Sequence, residues 1–230
     1  MPFYFMDYWY IILVVPAIIF SLICQAKVNS TYKKYSQVMG RKGITGAQVA
    51  QMILDQNNIK DVNIEPVRGT LSDHYDPRAH VIRLSEGVYN STSVAALGIA
   101  AHEAGHTCQH YQGYGAIKLR NAIFPVASIG SSMAVPLVFI GLLFNFSILI
   151  NIGIIFFAAA VVFQLVTLPV EFNASSRAIS ALDSSHILEG EELNGTKKVL
   201  SAAAMTYVAS LAVSLMSLLR LLLITRNRRD

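Results

Sequence analysis

Two histidines and a glutamate lie close together near the middle of the chain, in the segment His102-Glu-Ala-Gly-His106. His102 and His106 are four residues apart, so on a helix both imidazoles lie on one face, one turn apart. Two imidazoles in this arrangement can bind a single metal ion. Glu103 directly follows the first histidine, where its carboxylate can reach a water molecule on that metal. The HExxH pattern therefore predicts hydrolysis by a metal-activated water.

A third metal ligand must come from another part of the chain, because catalytic zinc usually has three protein ligands and a water molecule. Glu171 is the best candidate. It follows Pro169-Val170 at the end of a long apolar segment, where a carboxylate needs a partner or a function. Proline is typical of the first position of a helix, so we expect a new helix to begin at Pro169, with Glu171 in its first turn. The acidic residues between 189 and 192 are poorer candidates, since such a loop is usually solvated.

Several other polar residues are candidates for stabilising the developing oxyanion or for orienting the metal ligands. Two of them lie between Asp73 and Asp76, in a segment that reads as a plain turn before Pro77, with a role at the substrate edge as the alternative. Another, His110, continues the helical face of the motif and is better suited to orienting than to binding the metal. The candidates are His74, Tyr75, His110, Asn173, Ser175 and Arg177, with Tyr207 as a further oxyanion donor.

The composition indicates a chain that lies largely in lipid. Of its 230 residues, 53% are hydrophobic and only 14% are charged, whereas soluble domains have about 25% charged residues. Four segments reach the roughly 20 apolar residues that a helix needs to cross a bilayer: 8–24, 124–144, 148–168 and about 203–224. Segments 124–144 and 148–168 contain no ionisable residue and are separated by three residues, so we expect an antiparallel membrane hairpin rather than a buried hairpin of a soluble protein.

We therefore predict a mainly α membrane protein in which four transmembrane helices carry a small zincin-like α+β catalytic module at the membrane surface. Residues 1–10 contain no Lys or Arg, which favours a retained signal-anchor helix over a cleaved signal peptide. The expected parts are a signal anchor (1–25), a module with the motif helix (26–123), the hairpin (124–168), a helix with the third ligand (169–202), the fourth membrane helix (203–225) and a tail (226–230). Inside the module we expect Thr45 to cap a helix at 46–56, strands at 62–67 and 80–84, and a long helix at 93–110. A loop is expected around 188–195.

Charge and cysteines add two further expectations. The net charge is only +4, and the basic residues form no stripe, so nucleic acid is not an expected partner. The two cysteines, Cys24 and Cys108, lie in the first apolar segment and on the motif helix, so a structural disulfide is not expected.

The distribution of basic residues predicts the topology. Lysines at 27, 33 and 34 follow the first apolar segment, and the positive-inside rule places residues 26–123 in the cytoplasm. The hairpin crosses the membrane twice, so residues 169–202 return to the same side and Glu171 can reach the histidines. A fourth crossing puts the basic tail outside, against the rule. Either the last segment does not cross the membrane completely, or the lysines after the first segment determine the orientation despite the basic tail.

The chain resembles the YugP-type neutral zinc metallopeptidases of bacterial membranes. The resemblance implies a zinc peptidase of the bacterial plasma membrane that acts on polypeptides. A more distant similarity to the HtpX-type membrane gluzincins implies a Glu-x-x-x-Asp element, whose Glu is the third ligand and whose Asp braces a zinc-bound histidine. Glu171 matches that Glu, whereas Ser175 stands in the place of the Asp. The resemblance to the YugP-type family is carried by the stretches 34–36, 45–47, 71–77, 83–85, 101–106, 167–175 and 202–207.

These observations predict an integral-membrane zinc endopeptidase, with His102, His106 and Glu171 as Zn²⁺ ligands and Glu103 as general base. The expected partners are a polypeptide substrate and the lipid bilayer, and the sequence indicates no oligomeric state. One alternative is a catalytically inactive metal-binding scaffold or adaptor. A transporter or channel would need ionisable residues inside the spans, which the hairpin lacks. An intramembrane-cleaving protease would bury the motif in lipid, whereas polar residues between 109 and 120 follow it closely.

Overall fold

The computed structural model describes residues 7–226 and shows a mainly α-helical protein with a small β-sheet. The first six residues of the expected signal anchor and residues 227–230 of the expected tail lie outside the described residues. The helices are α1 (Val15–Tyr35, preceded by a π-helical turn at Tyr10–Val14), α2 (Gly46–Gln56), α3 (Glu86–Tyr89), α4 (Val94–Tyr111), α5 (Gly115–Phe144), α6 (Ser147–Ser184) and α7 (Gly190–Arg226). The strands are β1 (Asn63–Val67), β2 (His74–Asp76) and β3 (Val81–Ser85).

The described chain divides into two compact units. One unit contains the residues up to 25, residues 118–168 and the residues from 205 onwards. The other unit contains residues 26–117 and 169–204, and therefore holds the histidine motif and the candidate third ligand.

The first unit is built from apolar helical segments. Within residues 7–226, four helices are long and apolar enough to cross a membrane, with mean hydropathies of 2.0 to 2.5 in their most apolar windows. The expected tight turn is confirmed, because α5 ends at Phe144 and α6 begins at Ser147. Gly153 lets these helices approach closely, since a Cβ there would lie 2.9 Å from the carbonyl oxygen of Ala134.

An ion pair joins the first and last helical segments of this unit. Arg220 donates from Nε and Nη2 to Oδ2 of Asp7, at 2.9 and 2.6 Å. Asp7 precedes the first apolar segment and Arg220 lies near the end of α7, so the ion pair holds these two ends together.

The second unit packs helices against the small sheet. In the order β1-β3-β2, β1 pairs with β3 in parallel and β2 pairs with β3 antiparallel. The predicted cap of α2 is confirmed as a capping box, in which Thr45 and Gln48 exchange side-chain to backbone hydrogen bonds. The predicted strands at 62–67 and 80–84 are confirmed to within one residue. The core of this unit is formed by aliphatic side chains of α2, β3, α4 and α6, including Leu54, Ile82, Leu84, Leu97 and Leu182.

The interpretation of His74-Tyr75 as a plain turn is wrong, because these residues form strand β2. Both flanking aspartates attach this strand to β3, and Asp76 also closes the turn that follows, because its Oδ1 accepts from the backbone N–H groups of Arg78 and Ala79. Asp73 accepts from the backbone N–H of Ser85 at 2.7 Å, and Asp76 accepts from Nη1 of Arg83 at 3.0 Å.

The prediction that a new helix begins at Pro169 is also wrong. Pro169 lies inside α6, which continues from Ser147 to Ser184 without a break. Proline in a helix removes a single backbone donor, and apolar helices that pack against neighbours tolerate that loss. The loop expected around 188–195 is shorter than predicted, since α7 already begins at Gly190.

Candidate metal centre

Helix α4 places both histidines of the motif on one face. Ser93 caps its start by accepting a hydrogen bond from the backbone N–H of Ala96 at 3.3 Å. The first half of the helix is apolar and buried in the core of its unit, so the second half is held by rigid packing. The imidazole rings of His102 and His106 lie one turn apart, with their centroids separated by 4.7 Å.

Glu171 on α6 converges on these two rings. Its Oε2 lies 3.3 Å from Nε2 of His102 and 3.5 Å from Nε2 of His106. The carboxylate is almost completely buried, with 2% of the residue exposed. Each of the three residues offers one ligand atom, and these atoms lie within 4.8 Å of one another. The structure therefore brings together the three residues that the sequence predicted as metal ligands.

The spacing of these atoms fits a zinc ion. Zinc binds imidazole nitrogen and carboxylate oxygen at about 2.0–2.2 Å, almost always with tetrahedral geometry in four-coordinate sites. Two ligand atoms of such a tetrahedron are about 3.3–3.5 Å apart, which matches the distances from Glu171 to the histidines. Two imidazoles and a carboxylate also form one of the donor sets that zinc uses in catalytic sites.

Gly105, inside the motif, allows the two helices to come close enough for this convergence. A Cβ at position 105 would lie 2.8 Å from the carbonyl oxygen of Ala174 on α6. Such a separation is shorter than real Cβ atoms show, so a side chain here would force the backbones of α4 and α6 apart. The glycine is therefore part of the geometry that brings Glu171 to the histidines.

Each histidine also has a neighbour at its second ring nitrogen. Oγ of Ser175 lies 3.2 Å from Nδ1 of His102, and Oε1 of Gln109 lies 3.0 Å from Nδ1 of His106. Ser175 thus occupies the place of the bracing aspartate of the distant gluzincin pattern and makes a contact of the same kind. Both contacts leave Nε2 directed towards Glu171. Such partners of a ligand histidine fix the orientation of its ring.

Gln109 is the residue that the sequence reasoning missed. It lies three residues after His106, a spacing at which side chains on a helix meet. This spacing could have indicated that Gln109 contacts His106. It is a weak indication, because glutamine is common in polar stretches of helices. Asn173 and Arg177, which the sequence predicted as orienting residues, are linked to Gln109 by hydrogen bonds. Gln109 donates from Nε2 to Oδ1 of Asn173 at 2.9 Å, and the same oxygen accepts from Nε of Arg177 at 2.7 Å.

Tyr75 and His110 form a pair one turn beyond His106. Oη of Tyr75 lies 3.2 Å from Nδ1 of His110. Burial, together with the negative charges of Asp61 and Asp76, raises the pKa of Tyr75 to about 12. The phenol is therefore a weaker acid than an ordinary tyrosine, which is itself protonated at neutral pH.

The last two predicted oxyanion donors differ in where the fold places them. His74 is exposed, and its Nδ1 lies 2.8 Å from the carbonyl oxygen of Ser72. Tyr207 belongs to the part of α7 that is grouped with the other compact unit.

Glu103 is buried on α4 beside the two histidines of the motif and lies outside the group of three converging side chains. Burial alone would lower the pKa of His106, but the hydrogen bond to Glu171 and the nearby negative charges of Glu103 and Glu171 outweigh it and raise that pKa. The negative charge of the site therefore attracts a cation, whether a proton or a metal ion.

Comparison with known proteins gives matches over nearly the whole chain. A family model described as "Putative neutral zinc metallopeptidase" matches residues 10–226. The chain is 52% identical over 222 residues to the "Putative membrane protease YugP" of Bacillus subtilis (strain 168), which covers 96% of this chain and 98% of that protein. No solved structure matches the chain.

Proposed function

Because the chain belongs to the family described as "Putative neutral zinc metallopeptidase", we propose that it is a membrane-bound zinc endopeptidase. His102, His106 and Glu171 hold the zinc, and Glu103 is the general base. The observation that carries this proposal is the convergence of two Nε2 atoms on one carboxylate oxygen, at 3.3 and 3.5 Å. When bound, zinc acts as a Lewis acid that polarises a peptide carbonyl and lowers the pKa of its water to about 7.

Glu103 moves the proton in this mechanism. Its carboxylate accepts a proton from the attacking water and delivers it to the amine nitrogen of the leaving peptide. Its position supports that role, because it is buried directly after His102 on α4 but is not part of the ligand group. A carboxylate that is not used for metal binding keeps its lone pairs for proton transfer.

Tyr75 is the donor that we propose for the developing oxyanion. Its phenol contacts His110 on the helix that carries the metal ligands, and a phenol keeps its proton at neutral pH. A donor that is fixed before the reaction stabilises the transition state without reorganisation.

We further propose that the substrate is a polypeptide and that the catalytic unit faces the cytoplasm. Lysines 27, 33 and 34 support this orientation through the positive-inside rule. Four helices that are apolar enough to cross a membrane support a multi-pass protein of the plasma membrane.

Substitution of Glu103 tests the mechanism. The full-length protein, purified in detergent and loaded with zinc, is assayed with a library of fluorescence-quenched peptides. Glu103→Gln should lower kcat by about 10²- to 10⁴-fold, the range attributed to a positioned general base, while the zinc content stays unchanged. Glu191→Gln is the matched control, because this exposed glutamate lies in the first turn of α7.

Two results would contradict the proposal. Wild-type activity in Glu103→Gln would remove Glu103 as the base. A wild-type protein that binds zinc and hydrolyses no peptide of the library would point instead to a metal-binding scaffold.

A further inference from the structure

We propose that Gln109 is a positioning residue that selects the tautomer of His106 with the proton on Nδ1, and so reserves Nε2 for the metal. This proposal rests on the metal site of the proposed function, but not on peptide hydrolysis. It assigns a role to a buried amide that neither the motif nor the resemblance includes.

The choice of tautomer matters because a neutral imidazole carries one proton on two nitrogens. Only the nitrogen without the proton has a lone pair for a metal ion. In this site Nε2 of His106 faces Glu171, so metal binding at that position requires the proton on Nδ1. A neighbour that only accepts at Nδ1 therefore stabilises the tautomer that binds metal.

The backbone of α6 makes Gln109 such a neighbour. Its Nε2 lies 2.8 Å from the carbonyl oxygen of Val170, which can only accept a hydrogen bond. The nitrogen of the amide must therefore point to Val170, and the oxygen must point to His106. That oxygen lies 3.0 Å from Nδ1 of His106. Because an amide oxygen cannot donate, Nδ1 has to carry the proton.

Arg177 fixes the same orientation independently. Its Nε can only donate, and it lies 2.7 Å from Oδ1 of Asn173. The oxygen of Asn173 is thereby identified, and it also accepts from Nε2 of Gln109 at 2.9 Å. Arg177 is held in turn by Oε1 of Gln112. A guanidinium and a backbone carbonyl thus both require the orientation of Gln109 that presents its oxygen to His106.

Burial makes this orientation costly to change. Gln109 is completely buried, and a rotated amide would place its oxygen against the carbonyl of Val170 and leave buried groups without partners. His102 has no equivalent device, because the hydroxyl of Ser175 both donates and accepts and supports either tautomer. The tautomer of His106 is therefore fixed by its neighbour, whereas the tautomer of His102 is not.

Zinc affinity of the full-length protein is the first test. Gln109→Met keeps the length of the side chain but removes both the acceptor and the donors, and it should weaken zinc binding by about 10- to 100-fold. Gln109→Glu retains an oxygen for Nδ1–H and should bind zinc more tightly than Gln109→Met. Thr196→Val is the control, since it removes another buried hydrogen bond, from Oγ1 to the carbonyl oxygen of Val94 at 3.2 Å, and should keep wild-type affinity.

NMR of the protein loaded with Co²⁺ reads the hydrogen bond between Nδ1–H of His106 and Gln109, because metal on Nε2 leaves Nδ1 as the protonated nitrogen. The paramagnetic ion shifts the N–H signals of its imidazole ligands away from the rest of the spectrum. In the wild type the Nδ1–H of His106 should exchange slowly with water, and in Gln109→Met this signal should broaden or vanish while that of His102 remains. A merely structural role of Gln109 would not change one histidine alone.

Wild-type zinc affinity together with an unchanged His106 signal in Gln109→Met would overturn the proposal. If that variant does not fold, Asn173→Leu decides, because it removes an acceptor of Gln109 without touching His106. It should speed the exchange of the His106 proton, because the carbonyl of Val170 alone then holds the amide of Gln109, and unchanged exchange would overturn the proposal that both contacts fix this amide. Weakened zinc binding in a protein that cleaves no peptide would support this inference while refuting the peptidase.

Discussion

Replacing Gly105 by alanine tests whether the close approach of α4 and α6 sets the metal geometry. The new Cβ would lie 2.8 Å from the carbonyl oxygen of Ala174, whereas ordinary contacts begin at 3.4 Å. The helices must therefore separate by about 0.6 Å at this point. Metal–ligand distances tolerate only about 0.2 Å. Glu171 would thus move out of range of the histidines, although no ligand has been changed.

Gly105→Ala should affect the thermal stability of the metal-free protein less than it affects zinc affinity. Overpacking of this kind costs about 1–3 kcal/mol, and the better helix propensity of alanine returns about 1 kcal/mol. The metal-free protein relaxes by letting the helices separate, so its thermal stability should change little. Zinc must pull the helices together again against the same strain, so its affinity should fall by about 5- to 150-fold.

The assay compares zinc affinity, measured by competition with a chelator, and the Tm of the metal-free protein. Gly115→Ala serves as the control, because none of the described residues has an atom within 4 Å of a Cβ built there. It should leave zinc affinity unchanged. Wild-type affinity in Gly105→Ala would refute the argument that this contact positions Glu171.

Three further predictions concern the same centre. Ser175→Ala should weaken zinc binding by about 10-fold or more, measured by chelator competition, because it removes the hydroxyl beside Nδ1 of His102. Zinc affinity should fall as the pH is lowered through the raised pKa of His106, because the proton occupies the nitrogen that the metal needs; a pH-independent Kd between pH 5 and about 8 would contradict this. Tyr75→Phe should lower kcat on peptides by about 10²-fold without changing zinc content, as expected for loss of an oxyanion donor, and an unchanged kcat would exclude that role.

Local sequence patterns predicted the parts of the site that depend on a single helix. The four-residue spacing of His102 and His106 determines that their rings share a face, wherever the helix lies in the fold. The cap at Thr45 and the bounds of α4 also depend only on neighbouring residues, and the structure agrees with the prediction to within one residue. Glu171 was identified because a carboxylate beside a long apolar segment is unusual.

Features that depend on distant pairing were not predictable from the sequence. The aspartates around β2 have the composition of a turn, and only the partner strand β3 shows that they bind Ser85 and Arg83. Pro169 reads as a helix start, but the continuous packing of α6 overrides that local preference. The role of Gln109 depends on the carbonyl of Val170, sixty-one residues away.

Metal analysis of the purified full-length protein and of Glu171→Ala tests the central claim most directly. We expect one zinc ion per wild-type chain and its loss in the variant, because Glu171 supplies the oxygen on which both histidine nitrogens converge. Full retention of zinc by Glu171→Ala would contradict the account.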